Sequence, residues 1–202
     1  VISARPFPAK ALGAAFVAVL AGMPMAHAER EPTTQTSIGI FYQPGAPETA
    51  DLWREGDRGE RLALRGRVLD RDGRPVAGAL VELWHADAAG GVNESRFRAA
   101  QRTTDVGRFG IRTVLPGHIE MARDNAVFRA RHIHIRVTHP DHPELVSLIF
   151  FRGDERLEGT PYPELAISLE RARLETGEVL VGGVEIVLGA NRLPRRTFES
   201  TD

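Results

Sequence analysis

Apolar and polar residues alternate along short segments of this chain, as they do in β-strands that bury one face. Leu62–Leu69 reads Leu-Ala-Leu-Arg-Gly-Arg-Val-Leu, and a second apolar segment follows at Ala79–Trp84. Between them, Asp72 and Gly73 supply the residue types that a tight turn requires. The two segments are therefore predicted to be strands joined by a turn.

Four later segments have the same character: Phe109–Val114, Ala130–Thr138, Leu145–Phe151 and Val179–Leu188. The Gly- and Ala-rich stretch Asp87–Gln101 predicts a loop, and Leu165–Glu175 predicts the single short helix. Strands spaced about ten residues apart are typical of a sandwich or barrel. The chain is therefore predicted to be an all-β protein.

Composition divides the chain into four segments. Basic residues, an apolar run and Ala26-His27-Ala28 predict a cleavable signal peptide over residues 1–28, with an uncleaved anchor as the alternative. Residues 29–60 are expected to form a mobile tether and an irregular arm, 61–190 one β domain, and 191–202 a charged tail. We expect the mature protein to be exported, periplasmic or extracellular, with no membrane span.

Charge and cysteine content exclude several classes of function. The formal net charge is -1 and no long basic stretch is present, so nothing suggests nucleic acid as a partner. The chain has no cysteine, which excludes disulfides, thiolate metal ligands and a thiol nucleophile.

His132 and His134 are the residues that suggest chemistry most directly. Residues two apart in a strand point to the same face, so the two imidazoles are expected to converge. Such a pair can chelate a metal ion. Two histidines on a solvated strand face are the alternative.

A longer pattern surrounds this pair. It reads Gly66-x-Val68-x-Asp70-x-x-Gly73-x-Pro75-Val76-x-Gly78-Ala79-x-Val81-Glu82-x-Trp84-His85-Ala86-Asp87, then Thr104-Asp105-x-Gly107-x-Phe109, Pro116-Gly117 and Arg129-x-x-His132-Ile133-His134. With the arm Phe41-Tyr42-x-Pro44-Gly45-Ala46-Pro47, it resembles the intradiol ring-cleavage dioxygenases from Ile38 to about Leu188.

The resemblance implies an antiparallel β-sandwich that holds one non-haem ferric iron through two tyrosinates and two histidines. It implies catechol-type diols or related phenolic compounds as substrates, cleaved by O2 between the hydroxyl-bearing carbons, and it makes a homodimer plausible. Carried over, His132 and His134 are the imidazole ligands. Arg129 is the residue that stabilises negative charge developing on the substrate.

The chain departs from the family pattern at both tyrosine ligands. Val92 and Ile119 stand in their places, and Leu148 stands where the family has an active-site glutamine. Valine and isoleucine cannot coordinate iron, and two imidazoles alone hold Fe(III) poorly. Either another residue completes the site, or the iron chemistry has been lost.

His118 and Tyr42 are the main candidates for a replacement. His118 adjoins Ile119, and with His132 and His134 it would form a three-histidine site suited to Fe(II), Cu or Zn; otherwise it is a solvated loop histidine. Tyr42 is expected to reach the site from the arm, as a ligand or as a wall of the substrate pocket. Further candidates are Tyr162, Glu94 and Glu120.

Three hypotheses about function follow. The first is an exported oxidoreductase that acts on a catechol-type diol with an altered, histidine-based metal site. The second is a family member without catalysis, serving as a binding module or as a subunit of a hetero-oligomer. The third is a zinc-dependent hydrolase or lyase, for which the sequence shows no obvious general base.

Overall fold

The computed structural model describes residues 29–39, 41–93, 95–122, 127–174 and 177–189. The predicted signal peptide and the charged tail lie outside these residues, as does Glu94. Within them the chain forms eleven strands: β1 Arg61–Leu69, β2 Leu80–Trp84, β3 Arg98–Arg102, β4 Arg108–Val114, β5 Ile119–Ala122, β6 Val127–Arg129, β7 His132–His139, β8 His142–Phe151, β9 Ala166–Ile167, β10 Leu169–Leu174 and β11 Gly177–Val187.

The strands build two main sheets and one short ribbon. One sheet has the order β10-β11-β1-β4, the other has the order β3-β2-β7-β8-β9, and β5 pairs with β6. The predicted all-β sandwich is confirmed. Most neighbours are antiparallel, but β1 pairs with β11 and β8 pairs with β9 in parallel.

The core lies between the inner faces of the two main sheets. Alternate residues of β1 and β7 point into it, among them Leu62, Leu64, Ile133 and Ile135, each almost fully buried. Gly66 interrupts this apolar series because the Phe109 ring occupies the space of a side chain there: a Cβ would lie 2.1 Å from Phe109 Cζ. Burial of this alternating set fixes which face of each strand is turned outward.

The outer face of the five-stranded sheet carries the polar residues of β7 and β2. Because side chains alternate along a strand, His132, His134 and Arg136 share the face opposite to Ile133 and Ile135. Cross-strand pairing sets Trp84 beside His134 and Glu82 beside Arg136. The predicted convergence of the two histidines therefore takes place outside the sandwich core.

Two secondary-structure predictions were wrong. The segment predicted as a helix at Leu165–Glu175 instead contains β9 and β10, and a 3-10 turn at Pro163–Leu165 overlaps it only at Leu165. The stretch Asp87–Gln101, predicted as a loop, contains most of β3. Both β3 and β10 are edge strands with half-exposed residues, so hydrogen bonds to a neighbouring strand decide their conformation more than local sequence does.

The segment 29–36 is hydrogen-bonded to the sandwich, which differs from the expected mobile tether. Its amides at Arg30, Thr33 and Thr36 donate to carbonyls of the body at 2.7 to 3.0 Å. Among the described helices, none has the length and apolar character that crossing a membrane would need.

Candidate functional site

The centre of the outer face is a stack of aromatic rings. Trp84 of β2 and His134 of β7 are paired in register, and their rings lie parallel, 4.9 Å apart at an interplanar angle of 7°. Tyr42 from the arm packs against Trp84 at 5.0 Å. On the other side of His134 the cross-strand neighbour is Leu148, at the position of the family's glutamine. The stack fixes the orientation of the His134 ring.

His132 and His134 are brought together as the sequence predicts. Their ring centroids are 4.9 Å apart with an interplanar angle of 70°, and the residues are 4% and 7% exposed. Two imidazoles that bind one cation at about 2.1 Å have centroids roughly 4.5–5 Å apart, so this spacing is compatible with a shared cation. His132 Nδ1–H donates to the Ala130 carbonyl at 2.7 Å, which leaves its Nε2 lone pair free.

Both imidazoles are neutral at physiological pH. Burial, together with the neighbouring His132 and the positive charge of Arg129, lowers the pKa of His134 to about 3. Burial and Arg129 also lower the pKa of His132 below its ordinary value, against the opposing hydrogen bond to Ala130. His134 Nδ1 is buried, and within the described part of the chain it has no hydrogen-bond partner. Neutral imidazoles can act as ligands without first losing a proton.

Two loops place Val92 and Ile119 beside His134. Gly90 has φ of 87°, and a Cβ on it would lie 2.0 Å from the backbone oxygen of His118. The Asp87 carboxylate accepts the amides of Ala89 and Gly91 at 2.9 and 2.8 Å and so fixes the first loop. The close approach at Gly90 holds the two loops together. Val92 and Ile119 consequently line the same cavity as His134.

This cavity is small. Its volume is about 20 Å³, enough for about one water molecule and far below the roughly 300 Å³ of an ordinary small-molecule site. The arm closes it from outside: a Cβ built on Gly39 would lie 3.0 Å from His134 Cε1, so the arm backbone lies against the imidazole edge. An aromatic ring can enter only where the arm is displaced.

Tyr42 lies in the cavity wall and is held by a buried ion pair. Its hydroxyl is 3.3 Å from both carboxylate oxygens of Glu82 and accepts from Arg136 Nη1 at 3.1 Å. Arg136 Nη1 also donates to Glu82 at 2.6 Å, and its Nη2 donates to Glu144 at 2.6 Å. Burial and the Glu82 charge raise the pKa of Tyr42. Tyr42 is thus a neutral phenol that anchors the arm.

His118 does not join the imidazole pair in this structure. Its Nε2 is 3.1 Å from both oxygens of Asp154, whose side chain is only 1% exposed. Asp154 also accepts the amides of Arg131 and Arg156 at 3.0 and 2.8 Å. Burial alone would raise the pKa of Asp154, but these amides and His118 outweigh it and lower the pKa. The carboxylate therefore holds His118 by hydrogen bonds away from the imidazole pair, and the candidate three-histidine site is not formed.

The other candidates lie around the site. Arg129 is exposed on β6, opposite Ile119, and its assigned role stays a prediction. Tyr162 packs with Phe150 in a second small cluster, and Glu120 is exposed. His85 is buried, and both ring nitrogens are hydrogen-bonded: Nδ1–H donates to the Ala86 carbonyl at 2.6 Å and Nε2 accepts from Thr113 at 2.8 Å.

Sequence reasoning missed three features of the site: the Trp84 stack on His134, the Glu82–Arg136 pair and the Asp154 partner of His118. The sequence contains a pattern that indicates the Trp84 stack and the Glu82–Arg136 pair. Glu82 and Trp84 alternate with Val81 and Leu83, which marks a second polar line next to that of β7. Asp154 lies in an irregular segment, where no periodic pattern indicates which way a side chain points.

Comparison with known proteins assigns the family. A family model described as dioxygenase matches residues 39–175, which is most of the chain. The chain belongs to the intradiol ring-cleavage dioxygenase family. It is 34% identical over 147 residues to the 6-chlorohydroxyquinol 1,2-dioxygenase of Cupriavidus pinatubonensis, covering 62% of this chain and 53% of that protein. It is also 34% identical over 148 residues to catechol 1,2-dioxygenase 2 of Acinetobacter lwoffii, with the same coverage.

Solved structures of intradiol dioxygenases have the same fold. The 3-chlorocatechol 1,2-dioxygenase of Rhodococcus opacus superposes with a TM-score of 0.72 at 25% identity, over 81% of this chain and 75% of that one. The dioxygenase domain of a carbohydrate-binding fusion protein from a cellulolytic Streptomyces gives a TM-score of 0.64 at 26% identity, over 80% of this chain and all of that domain. The chain spans about half the length of the curated relatives it matches.

The ferric centre that the intradiol family implies does not fit these residues. Val92 and Ile119 are apolar, and Tyr42 is a neutral phenol bound to Glu82 and Arg136. In the described ranges, no three His, Cys, Asp or Glu side chains lie close enough to hold a metal ion together. The site offers two neutral nitrogen donors, and Fe(III) prefers anionic oxygen donors.

Proposed function

We propose that this intradiol dioxygenase-family protein acts on a catechol-type aromatic diol, or a related phenolic compound, at an altered site built on His132 and His134. One observation carries the proposal. His134 lines the cavity together with Val92 and Ile119, the residues that we place at the positions of the family's tyrosines, and the His132 ring lies 4.9 Å from the His134 ring. The site has kept its nitrogen donors and lost its anionic oxygen donors.

The residues around the pair suit an aromatic diol. Trp84 and Tyr42 offer aromatic surface to a flat ring, and Leu83, Val92 and Ile119 add apolar wall. Arg129 is exposed, and its positive charge helps to lower the pKa of both imidazoles. Its guanidinium can therefore stabilise negative charge on a bound diolate. The curated relatives are named for catechols and hydroxyquinols, which supports the same class of ligand.

The arm controls access in this proposal. The cavity is too small for a ring as long as Gly39 rests on His134 and Tyr42 rests on Glu82 and Arg136. Binding of a diol therefore includes displacement of residues around 39–46. The free energy needed to displace the arm reduces the net binding free energy of the diol, so we expect small diols to bind weakly.

The second candidate is a binding module or non-catalytic subunit that recognises the diol without oxidising it. Two features favour it: Val92 and Ile119 offer no tyrosine ligand, and Asp154 holds His118 away from the imidazoles. Both candidates use the same pocket, and they differ in turnover. A zinc hydrolase or lyase would need the three-histidine site, which this structure does not form.

The proposal is tested with 4-nitrocatechol, a diol whose visible absorption changes when it is deprotonated or chelated. The purified protein is titrated with it in the presence of Zn2+, Cu2+ or Fe2+, and oxygen consumption is followed with catechol. We expect a saturable spectral change that His134→Ala abolishes and His142→Ala retains. Oxygen uptake separates the oxidoreductase from the binding module, and absence of any saturable change under all conditions contradicts both.

We also propose that the protein is exported and assembles as a homodimer. The basic residues, apolar run and Ala26-His27-Ala28 support export. Expression in a Gram-negative host should yield periplasmic protein whose N-terminal residue, by mass spectrometry, is Glu29; a cytoplasmic protein of full mass contradicts this. Light scattering of the purified protein should give twice the chain mass, and a monomer contradicts the dimer.

A further inference from the structure

We propose that the outer face of the four-stranded sheet docks onto a membrane surface that contains anionic lipids. This face lies on the opposite side of the sandwich from His132 and His134, so it is separate from the candidate site and the proposal does not depend on the proposed function. We call it the arginine face, after the exposed or half-buried residues of β1 and β4 that point outward: Arg61, Arg65, Arg67, Arg108 and Arg112.

Alternation along two paired strands brings these arginines together. Because Leu62 and Leu64 point into the core, the residues between and after them on β1 point outward. Cross-strand pairing then sets Arg67 directly beside Arg108. Like charges in such a pair repel each other, which is unfavourable for the free protein. An anion bound between them would remove the repulsion.

Acidic side chains compensate only part of this charge. Glu185 is the outward residue of β11 beside Arg67, and it forms an ion pair with Arg30. Asp51 forms an ion pair with Arg112 at 2.7 Å. Each of these carboxylates is therefore already engaged by an arginine, and the remaining guanidinium groups give the face a net positive charge.

Arg65 and Arg108 are the cations that are free to bind a ligand. Within the described ranges, their guanidinium groups form no hydrogen bond or ion pair. Arg65 is flanked in register by Gly110 on one side and Gly183 on the other, and a Cβ on Gly183 would meet nothing within 4 Å. A phosphate group can thus approach Arg65 closely and accept two parallel hydrogen bonds from its guanidinium.

Exposed apolar side chains lie at both ends of the arginine face. Of the described residues, Leu174 and Val106 are the large hydrophobic ones that are exposed, at 55% and 48%. Leu174 of β10 borders an apolar hollow of about 280 Å³ that Trp53 also lines. Val106 lies at the other end, in the turn before Arg108, where its carbonyl accepts from Arg67 at 3.2 Å. Both ends can enter the boundary between lipid headgroups and acyl chains.

This arrangement favours a membrane over a protein partner. A protein interface has an apolar core surrounded by a polar rim. On the arginine face the order is reversed, since charged residues occupy the middle and the exposed apolar residues lie at the ends. Arginines in the headgroup layer with separate apolar side chains below it match a lipid surface. Trp53, whose ring is covered by the Arg61 guanidinium at 3.7 Å, is of the residue type enriched at that level.

The experiment is co-sedimentation with sucrose-loaded vesicles at low and high salt. The protein is purified after expression in a Gram-negative host, and every variant carries the same N-terminus, because the apolar run before Ala26 would itself bind lipid. We expect binding to vesicles of phosphatidylcholine mixed with phosphatidylglycerol, and none to phosphatidylcholine alone. Binding should weaken as salt is added, because exposed charges are screened.

Variants connect this binding to the face. Arg65→Gln and Arg108→Gln should each lower the partition coefficient by about fivefold, the effect of one basic residue at an anionic surface. Leu174→Ser should lower it by about tenfold through lost apolar burial. Arg152→Gln, which changes an exposed arginine at the end of β8 in the other sheet, is the matched control and should bind like the parent. Circular dichroism checks the fold of each variant.

The orientation of the docked protein is tested with vesicles whose acyl chains carry bromine, which quenches tryptophan fluorescence on contact. The chain has two tryptophans: Trp53 borders the arginine face, and Trp84 is stacked on His134 on the opposite side of the sandwich. We expect quenching in the parent and in Trp84→Phe, and its loss in Trp53→Phe. Quenching that depends on Trp84 overturns the proposed orientation.

The other outcomes are equally decisive. Equal binding to neutral and anionic vesicles, or to neither, overturns the proposal. Binding that both arginine variants and Leu174→Ser leave unchanged shows that another part of the chain docks, and it overturns the proposal as well. Binding to soluble polyaspartate but not to anionic vesicles identifies an acidic protein as the partner in place of a membrane. The diol titration stays a separate test, since these variants change no residue of the candidate site.

Discussion

His85 makes the stability of this protein depend on pH, and the size of the effect can be worked out. The residue is buried beside the cavity, with both ring nitrogens hydrogen-bonded. Burial lowers its pKa from 6.5 to about 4. In the unfolded chain the imidazole takes up a proton below about pH 6.5, whereas the folded protein takes it up only near pH 4. Acid therefore favours the unfolded state.

The magnitude follows from the two pKa values. Stability contributed by neutral His85 is fully present above about pH 6.5 and is lost as the pH falls towards 4. Each pH unit within this window costs about 1.4 kcal/mol per proton, so the loss between pH 7 and pH 5 is about 2 kcal/mol. This is a large fraction of the roughly 5–15 kcal/mol by which domains are stable.

The perturbation is His85→Asn, which keeps an amide donor close to the Nδ1 position and removes the titrating group. Urea unfolding is measured at several pH values between 7 and 5. The variant should be less stable than the parent at pH 7, because the bond to Thr113 is lost, but its free energy of unfolding should fall about 2 kcal/mol less on acidification.

Thr113→Val is the matched control. It removes the hydroxyl that donates to His85 Nε2 and retains the buried imidazole. It should lower stability by about 1 kcal/mol at every pH and leave the pH dependence of the parent unchanged. If His85→Asn loses as much stability between pH 7 and pH 5 as the parent, the buried neutral imidazole is not the source and the reasoning fails.

Three other substitutions test the site. Arg136→Met leaves the buried Glu82 carboxylate without its cation and should lower the free energy of unfolding, measured with urea, by about 3 kcal/mol. The double variant Arg136→Met with Glu82→Leu should recover most of this lost stability. Gly90→Ala should lower the free energy of unfolding by roughly 3 kcal/mol, because the new Cβ is strained and clashes with the His118 backbone. Gly56→Ala is the control: Gly56 has φ of 89° but open space around it, so the loss should be about 1 kcal/mol. Ile119→Tyr, but not Ile119→Phe, should give a visible charge-transfer band on addition of Fe(III), because the new phenol lies in the same cavity as His134. A colourless tyrosine variant would show that the position does not face the metal.

The sequence by itself determined the sandwich and the face on which the candidate site lies. Alternation along β1 and β7 assigns Leu62, Leu64, Ile133 and Ile135 to the core and thereby turns His132 and His134 to the other face. This conclusion depends on local periodicity, which a strand converts directly into the direction of each side chain. The family came from the resemblance of the motifs to the intradiol dioxygenases, and the same resemblance implies that Val92 and Ile119 stand in place of the tyrosines.

The tertiary structure decided which groups those side chains meet. His118 is drawn to Asp154, which is 36 residues away, and Glu82 binds Tyr42 and Arg136 across separations of 40 and 54 residues. The edge strands β3 and β10 likewise depend on a neighbouring strand: β3 pairs with β2, and β10 pairs with β11 in a hairpin. A periodic pattern specifies the face on which a residue lies but not its neighbour from another segment, because contacts between segments depend on how the loops and the arm pack. For this reason the imidazole pair was predictable, whereas the partners of His118, Tyr42 and Glu82 were not.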